Sequence, residues 1–167
     1  MSRGFVREDD QEEAPFVPPR AALPAGVPNH VTPRGLELLL AERVSLEAER
    51  SAVSGSDDER RRENAVIDGR LDLLNERIAT ARVVEKAPGP QREVRFGNSV
   101  RFRYKNGPQE GAERTFTIVG VDEASLAELR IAFVAPVARA LIGKRIGDLA
   151  EFQLGAQVQQ LEVVGIS

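Results

Sequence analysis

The sequence predicts an α+β fold in which an antiparallel helical hairpin precedes a β-rich domain. Between about Thr32 and Val84, apolar residues recur at alternating spacings of three and four, the heptad period of a helical seam. After a break at 86–90 the apolar period changes to two, as in half-buried strands. Five of the seven Phe residues and the only Tyr follow this break, so the larger core is expected there.

Composition excludes several classes of function. The chain has 167 residues, and its net charge of −3 gives no overall basic surface for a nucleic acid. The absence of Cys excludes thiolate metal sites, and the single histidine, His30, excludes most histidine-based catalysis. His30 precedes a helix start, where we expect a solvated side chain. No apolar run approaches ~18 residues and no signal peptide is evident, so a cytoplasmic protein without membrane contact is expected.

Residues 1–29 are interpreted as a flexible acidic and proline-rich tail. An acidic run covers 8–13, and five prolines follow it before the first helix. Proline fixes φ and lacks the amide donor, so this segment cannot form a long helix or a central strand. Phe5 and Phe16 are its aromatic residues, and the sequence leaves open whether they dock on a neighbouring surface or the tail is solvated.

Residues 30–85 are predicted to form the hairpin. Thr32 supplies a capping hydroxyl before Pro33, and the first arm runs to about Val53. The second arm runs from about Asp57 to Val84. The predicted seam residues are Leu39, Leu46 and Val53 in the first arm, and Asn64, Ile67, Leu71, Leu74, Ile78 and Ala81 in the second.

The two arms are joined by a short break at Ser54-Gly55-Ser56, and such a short turn makes them antiparallel neighbours. Ser56 or Asp57 is expected to cap the second helix. Gly69 lies inside that helix, where glycine costs about 1 kcal/mol relative to alanine. A close approach of the two arms would explain it.

Residues 91–167 are predicted to form a twisted, mainly antiparallel sheet with one short helix. Pro136 opens the helix and Gly143 closes it. A turn is expected at Asn106-Gly107. The predicted strands are centred on Val100 to Tyr104, Phe116 to Ile118, Leu129 to Phe133, Ala150 to Leu154 and Val158 to Ile166.

The segment from Ile131 to Asp148 resembles the signature of the Gre family of bacterial transcription elongation factors. The chain agrees with that signature at Pro136, Ala138, Arg139, Leu141, Gly143, Lys144, Gly147 and Asp148, whereas Ala135 replaces the usual Ser. The helix start at 31–36 and the stretch 75–84 are also similar to the family. The resemblance covers about Asn29 to Ser167 and leaves out the proline-rich tail.

This resemblance implies a coiled-coil hairpin followed by a domain with an FK506-binding-protein-like fold. It implies a monomeric accessory factor, not an enzyme, that binds RNA polymerase at the rim of its secondary channel. The hairpin tip would approach the 3′ end of backtracked RNA, and its carboxylates would assist a Mg²⁺ of the polymerase, with no cofactor of the factor's own. The residues it assigns to polymerase binding are Ala135, Pro136, Val137, Ala138 and Arg139.

The tip departs from the family pattern, which is Gly-Asp, two residues, then Glu-Asn. Glu63-Asn64 resembles its second half, but Arg60 stands where the pattern has Asp. The candidate tip carboxylates are therefore Asp57, Asp58, Glu59 and Glu63. Because acidic residues also suit a helix N-terminus, helix capping and solubility explain them equally well.

Both arms look about two turns shorter than in the family, or ~10 Å of reach. A short hairpin is typical of the regulator of nucleoside diphosphate kinase, which resembles Gre factors but whose tip stops short of the active centre. The sequence thus leaves two functions open, a cleavage-stimulating factor and a non-cleaving occupant of the channel.

Other classes of function have less support in the sequence. A prolyl isomerase is suggested only by fold analogy, and the chain has no Trp and one Tyr with which to line the aromatic pocket it needs. A coiled-coil scaffold remains possible from the hairpin alone. Likewise, the segment from Pro136 to Gly143 could be a plain short helix packed on the sheet.

Overall fold

The computed structural model describes residues 13–167, and the predicted α+β fold is confirmed. Phe5 and the acidic residues at 8–12 lie outside the described residues. An extended segment, 13–29, precedes a helical hairpin and a sheet. In chain order the elements are β1 (His30–Val31), α1 (Pro33–Ala52), α2 (Asp57–Thr80), β2 (Arg82–Val83), β3 (Ser99–Tyr104), β4 (Glu113–Val119), β5 (Arg130–Ala132), α3 (Pro136–Leu141), β6 (Leu149–Leu154) and β7 (Gln157–Ile166).

Both predicted helix starts are confirmed. The Thr32 hydroxyl accepts a hydrogen bond from the Gly35 amide at 2.9 Å, with Pro33 at the first helical position. Ser56 caps α2. This helix ends at Thr80 rather than near Val84, because the chain then forms β2, which pairs in parallel with β1.

The heptad seam forms the hairpin core. Leu39 and Leu46 of α1 and Ile67 and Leu74 of α2 are buried, whereas most of the remaining seam residues are half-buried. On the hairpin surface the Arg50 guanidinium hydrogen-bonds Asp68 of α2, which lowers the pKa of that carboxyl. The seam holds the two helices together, and this exposed pair bridges them at the surface.

Gly69 has a different neighbour from the one expected. A Cβ placed on Gly69 would lie 2.5 Å from Cγ2 of Val17. The close approach is therefore made by the N-terminal segment and not by the other arm, so the expectation from sequence was wrong. We call residues 17–29 the strap, since Val17 at one end lies over α2 and Asn29 at the other lies buried beside β1.

Within residues 13–167 the larger sheet has five strands in the order β5-β4-β3-β7-β6. β3 pairs antiparallel with β4 and β7, and β6 pairs antiparallel with β7. β5 at the edge is parallel to β4, so the sheet is mixed. Its buried core includes Phe102, Ile118, Leu161 and Val163, together with Leu141 of α3.

The predicted strand from Leu129 to Phe133 is shorter in the structure. Leu129 has a left-handed φ of 55° after a 3₁₀ turn at Leu126–Glu128, and its side chain is half exposed. The turn lets the Arg130 amide donate to the Ser125 carbonyl at 2.9 Å. Pairing therefore begins only at Arg130, where Ile131 points into the core.

The base of the hairpin packs directly on the sheet domain. A Cβ on Gly120 would lie 2.7 Å from the His30 carbonyl oxygen, so these backbones are in close contact. The ring of His30, expected to be solvated, instead lies 5.8 Å from that of Phe96 and 5.7 Å from that of Phe133. The Glu123 side chain, 1% exposed, accepts hydrogen bonds from Thr32 and Arg130.

None of the helices described in residues 13–167 is long and apolar enough to cross a membrane.

Candidate functional site

The hairpin tip is closed by a capping box between Ser56 and Glu59. The amide and hydroxyl of Ser56 donate to Glu59 Oε2 at 2.9 and 2.8 Å, and the Glu59 amide donates back to the Ser56 hydroxyl at 3.3 Å. These bonds, first that from the Ser56 backbone, lower the pKa of the Glu59 carboxyl. The Glu59 carboxylate therefore caps the start of α2 and points towards Ser56.

Asp57 and Asp58 carry the outward carboxylates of the tip. Their side chains are 93% and 67% exposed, and each pairs with the arginine three residues on, Arg60 and Arg61 respectively. The Asp58–Arg61 contact is 2.8 Å. Any cation that approaches the two aspartates must therefore compete with a guanidinium group already in place.

Glu63 lies exposed one turn further along α2, four residues after Glu59 and on the same helix face. Arg60 stands where the family pattern has Asp, and its guanidinium forms an ion pair with the Asp57 carboxylate. Among residues 13–167, no group of three or more His, Cys, Asp or Glu side chains is placed to hold a metal ion. The tip carboxylates have the right chemistry for Mg²⁺ but do not form a complete ligand set.

The second predicted site, 135–139, is divided between surface and core. Pro136 at the start of α3 and Arg139 in its last turn are both exposed. Ala138 is completely buried with Leu141, because residues three apart share one face of a helix. Ala135 and Val137 are half-buried against the same core. Only Pro136 and Arg139 are well placed for direct contact with a partner.

An apolar and basic surface next to α3 was not anticipated from the sequence. Ile142, Ile146 and Leu149 are exposed around the turn that follows the helix. A shallow depression of about 510 Å³ lies beside them, lined by Arg139, Ala140, Ile142, Lys144, Leu149 and Glu151. The available signal was the basic pair Lys144-Arg145 flanked by the apolar residues Ile142 and Ile146.

Comparison with known proteins identifies related chains. The family model described as "Transcription elongation factor, GreA/GreB, C-term" matches residues 89–167. The chain is 29% identical over 129 residues to transcription elongation factor GreA of Chloroflexus aggregans, an alignment covering 76% of this chain and 80% of that protein. It is 30% identical over 149 residues to GreA of Roseiflexus sp., covering 88% and 92% respectively.

Solved structures give a weaker match. GreA factor homolog 1 of Thermus thermophilus is 20% identical, with 83% of this chain and 97% of that chain aligned and a TM-score of 0.38. The GreA/GreB factor of Nitrosomonas europaea is 24% identical, with 83% and 98% aligned and a TM-score of 0.40. TM-scores this low support no inference about function or about the arrangement of the two parts.

Proposed function

Because the chain belongs to the GreA/GreB family of transcription elongation factors, we propose that it binds RNA polymerase at its secondary channel and stimulates cleavage of backtracked RNA. Family membership itself implies RNA polymerase as the partner. The factor would act as a cytoplasmic monomer without a cofactor of its own.

The observation that carries this proposal is the position of two exposed carboxylates at the end of a helical rod. α2 has 24 residues, which corresponds to ~36 Å. Asp57 and Asp58 lie at its first turn, whereas Pro136 and Arg139 belong to the sheet domain, which packs on the opposite, base end of the hairpin. One part can therefore hold the rim of a channel while the other extends into it.

The tip residues have the chemistry that assisted phosphodiester hydrolysis needs. In the complex, the polymerase's Mg²⁺ would stabilise charge on the attacking and leaving oxygens. Asp57 and Asp58 would supply oxygen ligands to this ion after releasing Arg60 and Arg61. The Arg60 guanidinium, once released by Asp57, would suit the phosphate oxygens of the RNA, to which arginine binds through paired N–H groups.

A non-cleaving occupant of the channel is the alternative, suggested by the short arms. The names of the two relatives described above, both GreA, do not favour it. The two functions share polymerase binding and differ only in whether the tip reaches the active centre.

The test uses purified polymerase stalled on a backtracked template. Competition with a known secondary-channel ligand measures binding, and the appearance of shortened RNA measures cleavage over a range of Mg²⁺ concentrations. The proposal predicts both competition and faster cleavage. Absence of competition would contradict it, and competition without cleavage would establish the non-cleaving alternative.

A further inference from the structure

The strap crosses from α2 to the base of the hairpin, and in its first half, 17–23, a side chain faces inward at every third residue. Val17, Arg20 and Leu23 are half-buried while most residues between them are exposed. A period of three is that of the polyproline II conformation, which proline-rich sequence favours. A stiff segment loses little conformational entropy when it docks, so few contacts are enough to hold it.

Arg20 connects three parts of the chain. Its Nη1 and Nη2 donate to the two carboxylate oxygens of Glu42 on α1, at 2.8 and 3.0 Å. Its Nε and Nη2 also donate to Asp122 Oδ1 in the sheet domain, at 3.0 and 2.8 Å. This use of the guanidinium fork requires arginine, because lysine offers a single charged nitrogen.

Asp122 also forms an ion pair with a second arginine, Arg77 of α2. Arg77 Nε lies 3.2 Å from Asp122 Oδ2, and Arg77 Nη2 donates to the strap carbonyl of Ala21 at 2.6 Å. The Asp122 side chain is only 7% exposed. Removing one cation from a carboxylate this buried leaves charge that water compensates poorly.

The strap is therefore attached to α1, to α2 and to the sheet domain. The steric fit of Val17 on Gly69 provides a contact that is independent of charge. We propose that the strap is a clasp that fixes the angle of the hairpin on the sheet domain, with Arg20 as a positioning residue for the tip. Its effect on cleavage rests on the proposed function, whereas the clasp itself can be tested without polymerase.

The absence of cysteine makes a distance measurement straightforward. Spin labels are attached at Ser54→Cys in the tip turn and at Gln109→Cys in the exposed loop between β3 and β4. Double electron–electron resonance on the full-length chain then reports the separation of tip and domain. The parent should give one narrow distribution, Arg20→Ala a broader or shifted one, and Arg20→Lys an intermediate result.

The control is Arg50→Ala, which removes a surface arginine–carboxylate pair whose two partners both belong to the hairpin. Its distribution should equal that of the parent. If the Arg50→Ala distance distribution were as broad as that of Arg20→Ala, the loss of any ion pair would be enough to loosen the molecule. That result would overturn the proposal that the strap fixes the angle of the hairpin.

A second pair of variants tests the clasp without altering charge and decides the matter if Arg20→Ala fails to fold. Gly69→Ala favours the helix but places a methyl group against Val17. It should broaden the distance distribution, and Val17→Ala in the same chain should restore the narrow one. The clasp would be refuted if both Arg20→Ala and Gly69→Ala gave a narrow distance distribution. If Arg20→Ala does not fold, a narrow distribution in Gly69→Ala alone would refute it. Neither result would affect the proposed polymerase binding.

Discussion

Ser56 and Glu59 hold each other at the hairpin tip, with three hydrogen bonds of 2.8 to 3.3 Å between their side chains and amides. This relationship separates the tip carboxylates into two groups. Glu59 stabilises the start of α2, whereas Asp57 and Asp58 point outward and pair with Arg60 and Arg61. The capping role considered from the sequence thus belongs to Glu59, and the outward aspartates are the candidates for function.

Removing the cap should weaken the hairpin. Ser56→Ala removes a hydroxyl that takes part in two of these bonds, and loss of such a cap typically costs about 1 kcal/mol. Urea unfolding followed by circular dichroism measures the change in the free energy of unfolding. Ser54→Ala in the same turn is the control, expected to stay within ~0.5 kcal/mol of the parent. Equal effects of the two substitutions would argue against the capping box.

The contact between the hairpin base and the sheet domain should not tolerate a side chain at Gly120. Gly120→Ala forces a methyl group to within 2.7 Å of the His30 carbonyl, a backbone atom that cannot rotate away. We expect a loss of about 1–3 kcal/mol of stability, as in other overpacked sites. Gly165→Ala is the control because its Cβ would meet Arg101 only at an ordinary 3.5 Å. An unchanged melting temperature for Gly120→Ala would show that this contact is not close.

Polymerase binding should depend on the exposed face of α3. Arg139→Glu reverses a surface charge beside Pro136, so we expect at least about tenfold weaker competition for the channel. Its thermal melt should remain native because the side chain lies outside the core. Arg114→Glu, an exposed arginine on β4, controls for net charge. Equal loss of binding in both variants would indicate a general electrostatic effect instead of a local contact.

Stability should depend on pH through the strap. The hydrogen bond from Arg20 lowers the pKa of Glu42 below its ordinary value of 4.5. A carboxyl whose folded-state pKa is lowered contributes stability above its unfolded pKa and loses it as pH falls through the folded value. Stability should therefore decline below about pH 4.5, and less steeply in Arg20→Ala. Identical pH profiles of unfolding free energy for the two proteins would contradict this coupling.

Features of the hairpin that depend on neighbouring residues were predictable from the sequence. The caps at Thr32 and Ser56 and the buried seam positions Leu39 and Leu74 follow from local hydrogen bonding and heptad spacing. The short helix α3 was recognised from its proline and glycine boundaries.

Features set by distant contacts were not predictable in this way. Arg20 and Asp122 are 102 positions apart, so no local pattern links them, and composition alone predicts a tail for the proline-rich segment. Val17 over Gly69 is a contact of the same kind. At the tip, spacing indicated which acids were available, but only the geometry assigned Glu59 to capping.

The most direct test of the account compares wild type with the Asp57→Ala, Asp58→Ala double variant in RNA cleavage and channel competition. Asp72→Ala, an exposed acid further along α2, is the control. Losing a charge-stabilising group typically costs about 2–4 kcal/mol of transition-state stabilisation, or about 10²–10³ in rate. The account predicts that the double variant competes like wild type and the control but loses cleavage stimulation by about this factor, with partial recovery at higher Mg²⁺. Full cleavage activity in the double variant, or no stimulation by wild type at any Mg²⁺ concentration, would contradict it.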